Sequence, residues 1–176
     1  MHQRAEARER LYTEVAAEYG SPLERLARGY ERDSDKRRDL LQEIHIALWR
    51  SLARFDGRCS LRTWVYRVAH NVATSRVIRA KQHQPIFVAV EGLESIPDGI
   101  DGEALVDRRR TLEKLYELIR QLRPIDRQVM LLYLESVDAA TIAEVTGLSP
   151  ANVATKIHRI KLLLTRRFHE KVTAHD

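Results

Sequence analysis

Apolar residues recur at steps of three and four through two long parts of this chain, and the pattern breaks off between them. This spacing places the apolar side chains on one face of an α-helix. Between the two parts lies a short apolar run at residues 86–90, for which no second strand is available as a partner. We therefore expect an all-α fold with two small helical domains, an N-terminal helical bundle and a C-terminal helix-turn-helix domain, joined by an extended linker.

The break between the two helical parts marks the linker. Residues 81–103 contain two prolines and three glycines, which interrupt any regular period. A stretch of this length without structure of its own is unusual inside one compact domain, so it favours two domains. We predict a first domain at residues 1–80, a flexible acidic linker at 81–107 and a second domain at 108–176.

Charge follows the same division. Residues 1–80 carry 16 basic and 11 acidic side chains, a net charge of +5, and residues 108–176 carry 13 and 8, also +5. The linker carries one basic and six acidic side chains, a net charge of −5. Two basic parts on either side of an acidic connector fit a protein that touches one polyanion at two places.

About four helices are expected in the first domain. The first covers residues 3–19 and is predicted to end at Gly20, with Ser21 as the N-cap and Pro22 as the first residue of the next helix. The third spans roughly residues 36–54. Its buried seam is predicted to consist of Ile44, Leu48 and Leu52.

The fourth helix carries a dense cationic face. A turn at Asp56-Gly57 and an N-cap at Ser60 precede it. Residues 54–80 contain six arginines and one acid, a net charge of +5. Solvated helix faces usually mix charge signs, and arginine suits bidentate phosphate contacts, so this face is a candidate nucleic-acid surface. The alternative is the solvated face of a core helix. The outward residues are predicted to be Thr63, Arg67, His70, Asn71 and Thr74.

The aromatic residues of this helix divide between its two faces. Trp64 lies on the apolar face and is assigned to the core. Tyr66 lies closer to the exposed side, where it could stack on a base. The other members of the apolar face are Leu61, Val65, Val68 and Val72.

The second domain ends in a helix-turn-helix pattern. After a helix from about residue 103 to Pro124 and another over 126–134, Asp138 is predicted to cap a short helix. Gly147 allows a tight turn, and Ser149 and Pro150 then start a longer helix. The N-terminal part of such a second helix enters the major groove of DNA, where Asn suits adenine and Lys or Arg suits guanine or phosphate. An ordinary helical hairpin is the alternative. The outward candidates are Ala151, Asn152, Ala154, Thr155, Lys156, His158 and Arg159.

Several other classes of protein are disfavoured by the composition. No run of about 18 apolar residues is present, and the N-terminus lacks the apolar region of a secretory signal. A lone cysteine, Cys59, excludes an internal disulfide framework, and these features together favour the cytoplasm. The seven histidines are scattered without metal-ligand spacing, and no glycine-rich phosphate loop occurs. We therefore expect no catalytic residues, no metal and no cofactor, and an enzyme is disfavoured.

The motifs of the two halves, taken in order, resemble a known family. Residues 39–43 with 47–50 are similar to the helix by which sigma factors bind RNA polymerase. Residues 55–57 with 62–71 are similar to their segment for melting and reading the minus-ten promoter element. Residues 142–149 with Val153 are similar to their helix-turn-helix for the minus-thirty-five element. The chain thus resembles bacterial extracytoplasmic-function (ECF, group IV) sigma factors of the sigma-70 family over residues 10–80 and 108–170.

The resemblance implies a function and its partners. It implies a sigma factor that binds core RNA polymerase through the β′ clamp helices and the β flap, directs promoter-specific initiation and is controlled by an anti-sigma factor, without membrane insertion. Under the same resemblance, polymerase contacts fall on Asp39, Gln42, Glu43 and Trp49. Minus-ten contacts fall on Arg58, Arg62, Arg67, His70, Asn71 and Arg76. Minus-thirty-five contacts fall on Ser149, Asn152, Thr155, Lys156 and Arg159.

Departures from the family pattern affect promoter preference more than function. Thr146 stands where leucine is usual before the turn, and Ala154 where a basic or polar residue often faces DNA. His45 replaces an apolar residue of the polymerase-binding helix. A stand-alone helix-turn-helix regulator remains the alternative, although such a protein has no need of exposed Asp39, Gln42 and Glu43.

Overall fold

The computed structural model describes the backbone of residues 2–83 and 103–173, and the side chains of residues 6–80 and 108–168. Seven helices and no strands occur in these ranges, which confirms the all-α prediction. Most of the expected linker, including the run at 86–90, lies outside the described residues. The helices are α1 (His2–Tyr30), α2 (Ser34–Leu52), α3 (Leu61–His83), α4 (Glu103–Arg120), α5 (Pro124–Leu134), α6 (Ala139–Thr146) and α7 (Pro150–Thr173).

Helix α1 runs through Pro22 without a break, so the predicted end at Gly20 and the cap at Ser21 are wrong. A proline inside a helix costs about 3 kcal/mol. The apolar stripe outweighs that cost, because each fully buried large apolar side chain contributes roughly 1.5–3 kcal/mol. Val15, Leu23 and Leu26 are all at most 2% exposed on this one helix. The first part of the chain therefore has three helices, not about four.

Side-chain caps begin α2 and α3. The Asp33 carboxylate accepts hydrogen bonds from the backbone of Asp35 and Lys36, each at 2.9 Å. The Ser60 hydroxyl accepts from the Thr63 backbone N–H at 3.0 Å, and Gly57 has a φ of 76°. The turn and the cap predicted before α3 are thus confirmed. The α2 seam is also confirmed, and consists of Leu40, Ile44, Leu48 and Leu52.

The expected outward face of α3 is partly buried, which corrects the sequence interpretation. Thr63 and His70 are each 1% exposed, and Tyr66 is 2% exposed rather than available for stacking. The reason is tertiary: α3 packs against α1 and α2, and also against α5 and α6. Trp64 packs on the core as predicted and donates its indole N–H to Ser51 Oγ at 3.1 Å.

The helix-turn-helix geometry is confirmed in the second part. The Asp138 carboxylate accepts from the Thr141 backbone at 2.9 Å and caps α6. Gly147 ends α6 in the left-handed conformation, with a φ of 77°. Ser149 Oγ accepts from the Asn152 backbone at 3.3 Å at the start of α7. The buried residues of the two helices are Ile142, Ala143, Val153, Ile160 and Leu164.

The helices form two groups that pack together. We name α1–α3 the N-terminal lobe and α4–α7 the C-terminal lobe; α1 contacts α4 and α5, and α3 contacts α5 and α6. Gly29 of α1 allows a close approach, since a Cβ there would lie 2.4 Å from Cδ2 of Leu131 in α5. Arg120 of α4 also donates to the carbonyl of Arg28 at 2.8 Å. The domain boundaries at residues 80 and 108 stay a prediction.

His70 should make the protein less stable in acid. Its Nδ1 lies 2.8 Å from the Tyr30 hydroxyl, and burial lowers its pKa from 6.5 to about 3. As the pH falls, the His70 imidazole is protonated near pH 6.5 in the unfolded chain but only near pH 3 in the folded chain. The contribution of neutral His70 to the free energy of unfolding is therefore complete above pH 6.5 and is lost as the pH falls toward 3. Between neutral pH and about pH 5 the free energy of unfolding should fall by about 2 kcal/mol through this residue.

Urea unfolding curves at several pH values measure this slope. The His70→Asn variant should lose this part of the pH dependence of the free energy of unfolding. A change at the exposed His158, such as His158→Gln, should leave the pH dependence as it is. An unchanged slope in His70→Asn would contradict the assignment.

Candidate nucleic-acid interface

Two arginines of α3 point toward the C-terminal lobe. Arg62 Nη2 donates to the carbonyl oxygens of Glu135 at 3.2 Å and Ser136 at 3.4 Å. Arg67 Nη2 donates to the carbonyl of Glu144 at 2.8 Å. Both acceptor groups belong to the C-terminal lobe, in α6 and in the loop that precedes it. These two of the six predicted minus-ten residues therefore both contact the C-terminal lobe.

The loop before α3 opens a cleft beside this face. Arg58 extends into solvent with its side chain 89% exposed, and its Nε lies 2.7 Å from an Asp56 carboxylate oxygen. The cleft has a volume of about 440 Å³, and Glu144 of α6 contributes to its wall. Its other lining residues are Arg54, Asp56, Arg58, Cys59, Trp64 and Arg67. A cationic cleft with an aromatic wall has the chemistry needed to hold an unpaired base and its phosphate.

The remaining predicted minus-ten residues lie apart from this cleft. His70 is enclosed beside Tyr30 and is neutral near pH 7, because burial lowers its pKa. Asn71 is exposed on α3. Arg76 turns toward α2, where Nη1 lies 2.7 Å from Glu43 Oε1. Arg58 and Arg67 thus line one cleft, Arg62 contacts the loop before α6, and His70 and Arg76 lie elsewhere.

The predicted polymerase-binding residues lie along α2. The Asp39 side chain is 67% exposed and that of Glu43 is 43% exposed, and both approach Arg76 of α3. Gln42 is exposed between them. Trp49 is half-buried, with the Arg8 guanidinium 4.3 Å from its ring centroid. The carboxylates of Asp39 and Glu43 thus lie toward α3, whereas Trp49 contacts Arg8 and Tyr12 of α1.

The exposed N-terminal turns of α7 carry the predicted minus-thirty-five residues. Ser149, Asn152 and Thr155 are exposed, and the Thr155 hydroxyl donates to the carbonyl of Ala151 at 3.0 Å. Lys156 Nζ lies 2.6 Å from Asp126 Oδ1, and Arg159 Nη2 lies 3.2 Å from Asp126 Oδ2. The outward prediction holds for these residues, although Lys156 is half-buried.

Asp126 is a functional candidate that the sequence interpretation missed. Its side chain is only 10% exposed, and its two oxygens pair with Lys156 and Arg159 of α7. From sequence it is simply an acid in the first turn of α5, a common position for one. Its partners lie 30 and 33 residues away, so no local pattern reveals the contact.

Arg127 was also missed, and it lies where the lobes meet. It is 8% exposed, and its guanidinium lies 5.3 Å from the Tyr30 ring centroid of the N-terminal lobe. Nη2 donates to the carbonyls of Arg120 and Leu122, at the turn between α4 and α5. Burial lowers the pKa of this guanidinium. Arg127 thus connects the turn between α4 and α5 in the C-terminal lobe with the Tyr30 ring in the N-terminal lobe.

The described part of the chain shows neither a metal-binding cluster nor a membrane-spanning helix. Among those residues, no group of three or more His, Cys, Asp or Glu side chains could hold a metal ion. Within residues 2–83 and 103–173, no helix combines the length and apolar composition that a membrane crossing needs. The arrangement that is present offers cationic and hydrogen-bonding surfaces for a polyanion.

Family models match both lobes. The sigma-70 region 2 model matches residues 15–83, and the sigma-70 region 4 model matches residues 112–164. The first match covers most of α1–α3 and every lining residue of the cationic cleft except Glu144. The second covers the helix-turn-helix and most of α7.

Individual relatives and a solved structure agree with these matches. The RNA polymerase sigma factor YlaC of Bacillus subtilis is 27% identical over 132 residues, which is 73% of this chain and 75% of the relative. The ECF RNA polymerase sigma factor SigW of the same organism is 25% identical over 140 residues, 75% of each chain. The structure of CnrH in complex with the cytosolic domain of CnrY shares the fold, with a TM-score of 0.68 and 20% identity over 96% of this chain and 94% of that chain. The chain therefore belongs to the sigma-70 family of RNA polymerase sigma factors and is of the ECF type.

Proposed function

We propose that this chain binds core RNA polymerase and places two DNA-binding surfaces on a promoter, one in each lobe. The observation that carries the proposal is the pairing of a cationic cleft beside α3 with an exposed recognition helix, α7, in lobes that match sigma-70 regions 2 and 4. The cleft beside α3 suits a separated DNA strand, and helix α7 suits duplex DNA.

The cleft is proposed to receive the minus-ten element. Arg58 tracks the phosphates at its entrance, and Arg62 and Arg67 offer planar donors along α3. Trp64 forms part of the cleft wall. Asn71 lies at an exposed position of the same helix. His70 and Arg76 instead hold α3 in place, through contacts with Tyr30 and Glu43 respectively. The proposed roles of the last two are thus indirect.

Helix α7 is proposed to read the minus-thirty-five element. Asn152 and Thr155 present hydrogen-bonding groups near the helix N-terminus, and Ser149 lies at the cap, where backbone N–H groups favour a phosphate. Lys156 and Arg159 follow one turn later. Their shared carboxylate, Asp126, fixes where these cations can reach.

The polymerase contact is proposed for Asp39, Gln42, Glu43 and Trp49 on α2, which would meet the β′ clamp helices, with the β flap contacting the C-terminal lobe. Because CnrH was solved with the cytosolic domain of CnrY, we also propose an anti-sigma partner for this chain. We further propose that the chain acts in the cytoplasm without catalytic residues or a cofactor of its own, and that polymerase supplies the chemistry.

Run-off transcription with bacterial core polymerase on a promoter library tests the function. At limiting protein, Asp39→Arg should lower promoter-specific transcription by about tenfold, since reversing one charge at a docking surface costs roughly 1.4 kcal/mol or more. Asp35→Arg is the matched control, because Asp35 is 85% exposed on the same helix.

Each result has a distinct meaning. Equal losses in both variants would contradict the assigned docking surface. If no variant and no wild-type protein gave transcripts while duplex DNA was still shifted in a gel, a stand-alone DNA-binding regulator would replace the sigma factor.

Asp126→Asn should make duplex binding tighter but less selective. Without the carboxylate, Lys156 and Arg159 become available to any phosphate. Affinity for random-sequence duplex should rise about threefold to tenfold at low salt, with a steeper salt dependence. Fluorescence anisotropy measures both quantities.

Glu14→Gln controls for net charge, because Glu14 is an exposed acid on α1. If both variants tightened binding equally, overall charge would explain the effect and Asp126 would have no special role.

A further inference from the structure

We propose that the groove between α1 and α2 of the N-terminal lobe binds a linear polyphosphate, either a free inorganic chain or the phosphate chain of a nucleotide. We name this groove the α1–α2 cleft. Its volume is about 530 Å³, which lies within the range of small-molecule sites. Four arginines line it, Arg25 and Arg28 from α1 and Arg37 and Arg38 from α2. None of them is among the residues proposed for promoter DNA or for the β′ clamp helices.

The lining of the cleft suits a strongly charged, polar ligand. Besides the four arginines it contains two hydroxyl side chains, Ser21 and Ser34, one carboxylate, Glu24, and one apolar side chain, Leu41. Guanidinium groups offer planar pairs of donors that match phosphate oxygens, and hydroxyl groups add single donors. A ligand with several negative charges can therefore contact donors from both helices at once.

Two of the arginines have only loose carboxylate partners. Arg28 Nε lies 3.6 Å from Glu113 Oε1, and Arg38 Nη2 lies 3.8 Å from Asp35 Oδ1. Both distances exceed the range of a hydrogen bond, and the side chains of Arg38 and Asp35 are 82% and 85% exposed. Exposed ion pairs of this kind contribute little to stability, so a ligand with more charge than one carboxylate can displace them.

The other two arginines are held in position and still keep donors. Arg25 binds both carboxylate oxygens of Glu135 through Nε and Nη2, each at 2.7 Å, so its Nη1 remains a donor. Arg37 Nη1 donates to the carbonyl of Arg32 at 3.3 Å, which leaves Nε and Nη2 as donors. Side chains that are already ordered lose little conformational freedom when a ligand binds. Arg25 and Arg37 thus supply one preorganised guanidinium group from each helix.

The α1–α2 cleft recognises the phosphate chain rather than a base. Its lining contains no aromatic side chain, whereas Trp64 forms part of the wall of the cleft beside α3. Stacking on aromatic rings is a main source of affinity for bases. A nucleotide therefore gains little from its base in this cleft, and ATP should bind with an affinity within about threefold of that of inorganic tripolyphosphate.

Isothermal titration calorimetry of the whole chain with inorganic tripolyphosphate tests this site. In about 0.1 M salt and without divalent cations, we expect one tripolyphosphate to bind per chain, with a Kd of about 0.1 mM or lower. Arg37→Gln/Arg38→Gln should weaken binding about tenfold, because two charge-assisted contacts are lost from α2. Arg28→Gln should weaken binding about threefold or more through the loss of a contact from α1.

Arg10→Gln/Arg50→Gln is the matched control, because it removes the same net charge from exposed positions of α1 and α2. Arg50 lies about 18 Å farther along α2 than Arg38, and Arg10 lies about 22 Å before Arg25 along α1. Both distances exceed the screening length of about 10 Å in this salt. The control variant should therefore retain the affinity of the wild type for tripolyphosphate.

Several results would overturn the proposal. If the folded wild type bound no tripolyphosphate, the site would be rejected, and equal losses in the control variant would show that net charge alone attracts the ligand. A loss in Arg58→Gln without a loss in Arg37→Gln/Arg38→Gln would move the ligand to the cleft beside α3. A hexaglutamate peptide that bound more tightly than tripolyphosphate would replace the polyphosphate by an acidic peptide.

A comparison with ATP distinguishes the two sources of the phosphate chain. Similar affinities for ATP and tripolyphosphate would identify the phosphate chain alone as the recognised group, whereas much tighter binding of ATP would identify a nucleotide as the ligand of the same cleft. These measurements involve neither polymerase nor a promoter. The polyphosphate site and the proposed sigma factor function can therefore fail independently of each other.

Discussion

Helix α3 is the element on which both lobes depend. It contacts α1 and α2 on one side of the molecule and α5 and α6 on the other. Alanines at positions 69 and 73 are fully buried, and such small side chains let neighbouring helices come close. A helix buried on several sides cannot also present a wide polar surface, so the groups we propose for DNA recognition are its long arginines, the exposed Asn71 and the loop that precedes it.

An arginine side chain can still reach beyond such a buried helix, because its charge lies at the end of a long, flexible chain of methylene groups. The half-buried Arg62 and Arg67 pack their methylene groups near the helix while their guanidinium groups reach acceptors in the C-terminal lobe. Arg76 extends in another direction and forms ion pairs with Asp39 and Glu43 of α2. One residue type on one helix therefore makes the contacts between the lobes and pairs with the acids of α2, the two regions where we propose DNA and polymerase contacts.

The features predictable from sequence were those encoded within a few residues. Ser60, Asp138 and Gly147 end or begin helices through contacts with their immediate neighbours, and each appears as expected. The failures involve distant partners. Helix α1 continues through Pro22 because its apolar side chains are buried against other helices. Tyr66 and His70 are covered by other helices. Asp126 pairs with cations that lie about thirty residues later in the chain. Family resemblance supplied the function, but nothing local indicated how the lobes would pack.

The acceptors of Arg62 and Arg67 have a consequence for how sequences of this kind can diverge. They are main-chain oxygens of residues 135, 136 and 144, which every amino acid carries. Ser136 even holds its loop with a positive φ of 54° without being glycine. Side chains along this loop are thus free to drift over generations without deleting these hydrogen bonds. The contact between the lobes can persist in descendants whose sequences no longer show any sign of it.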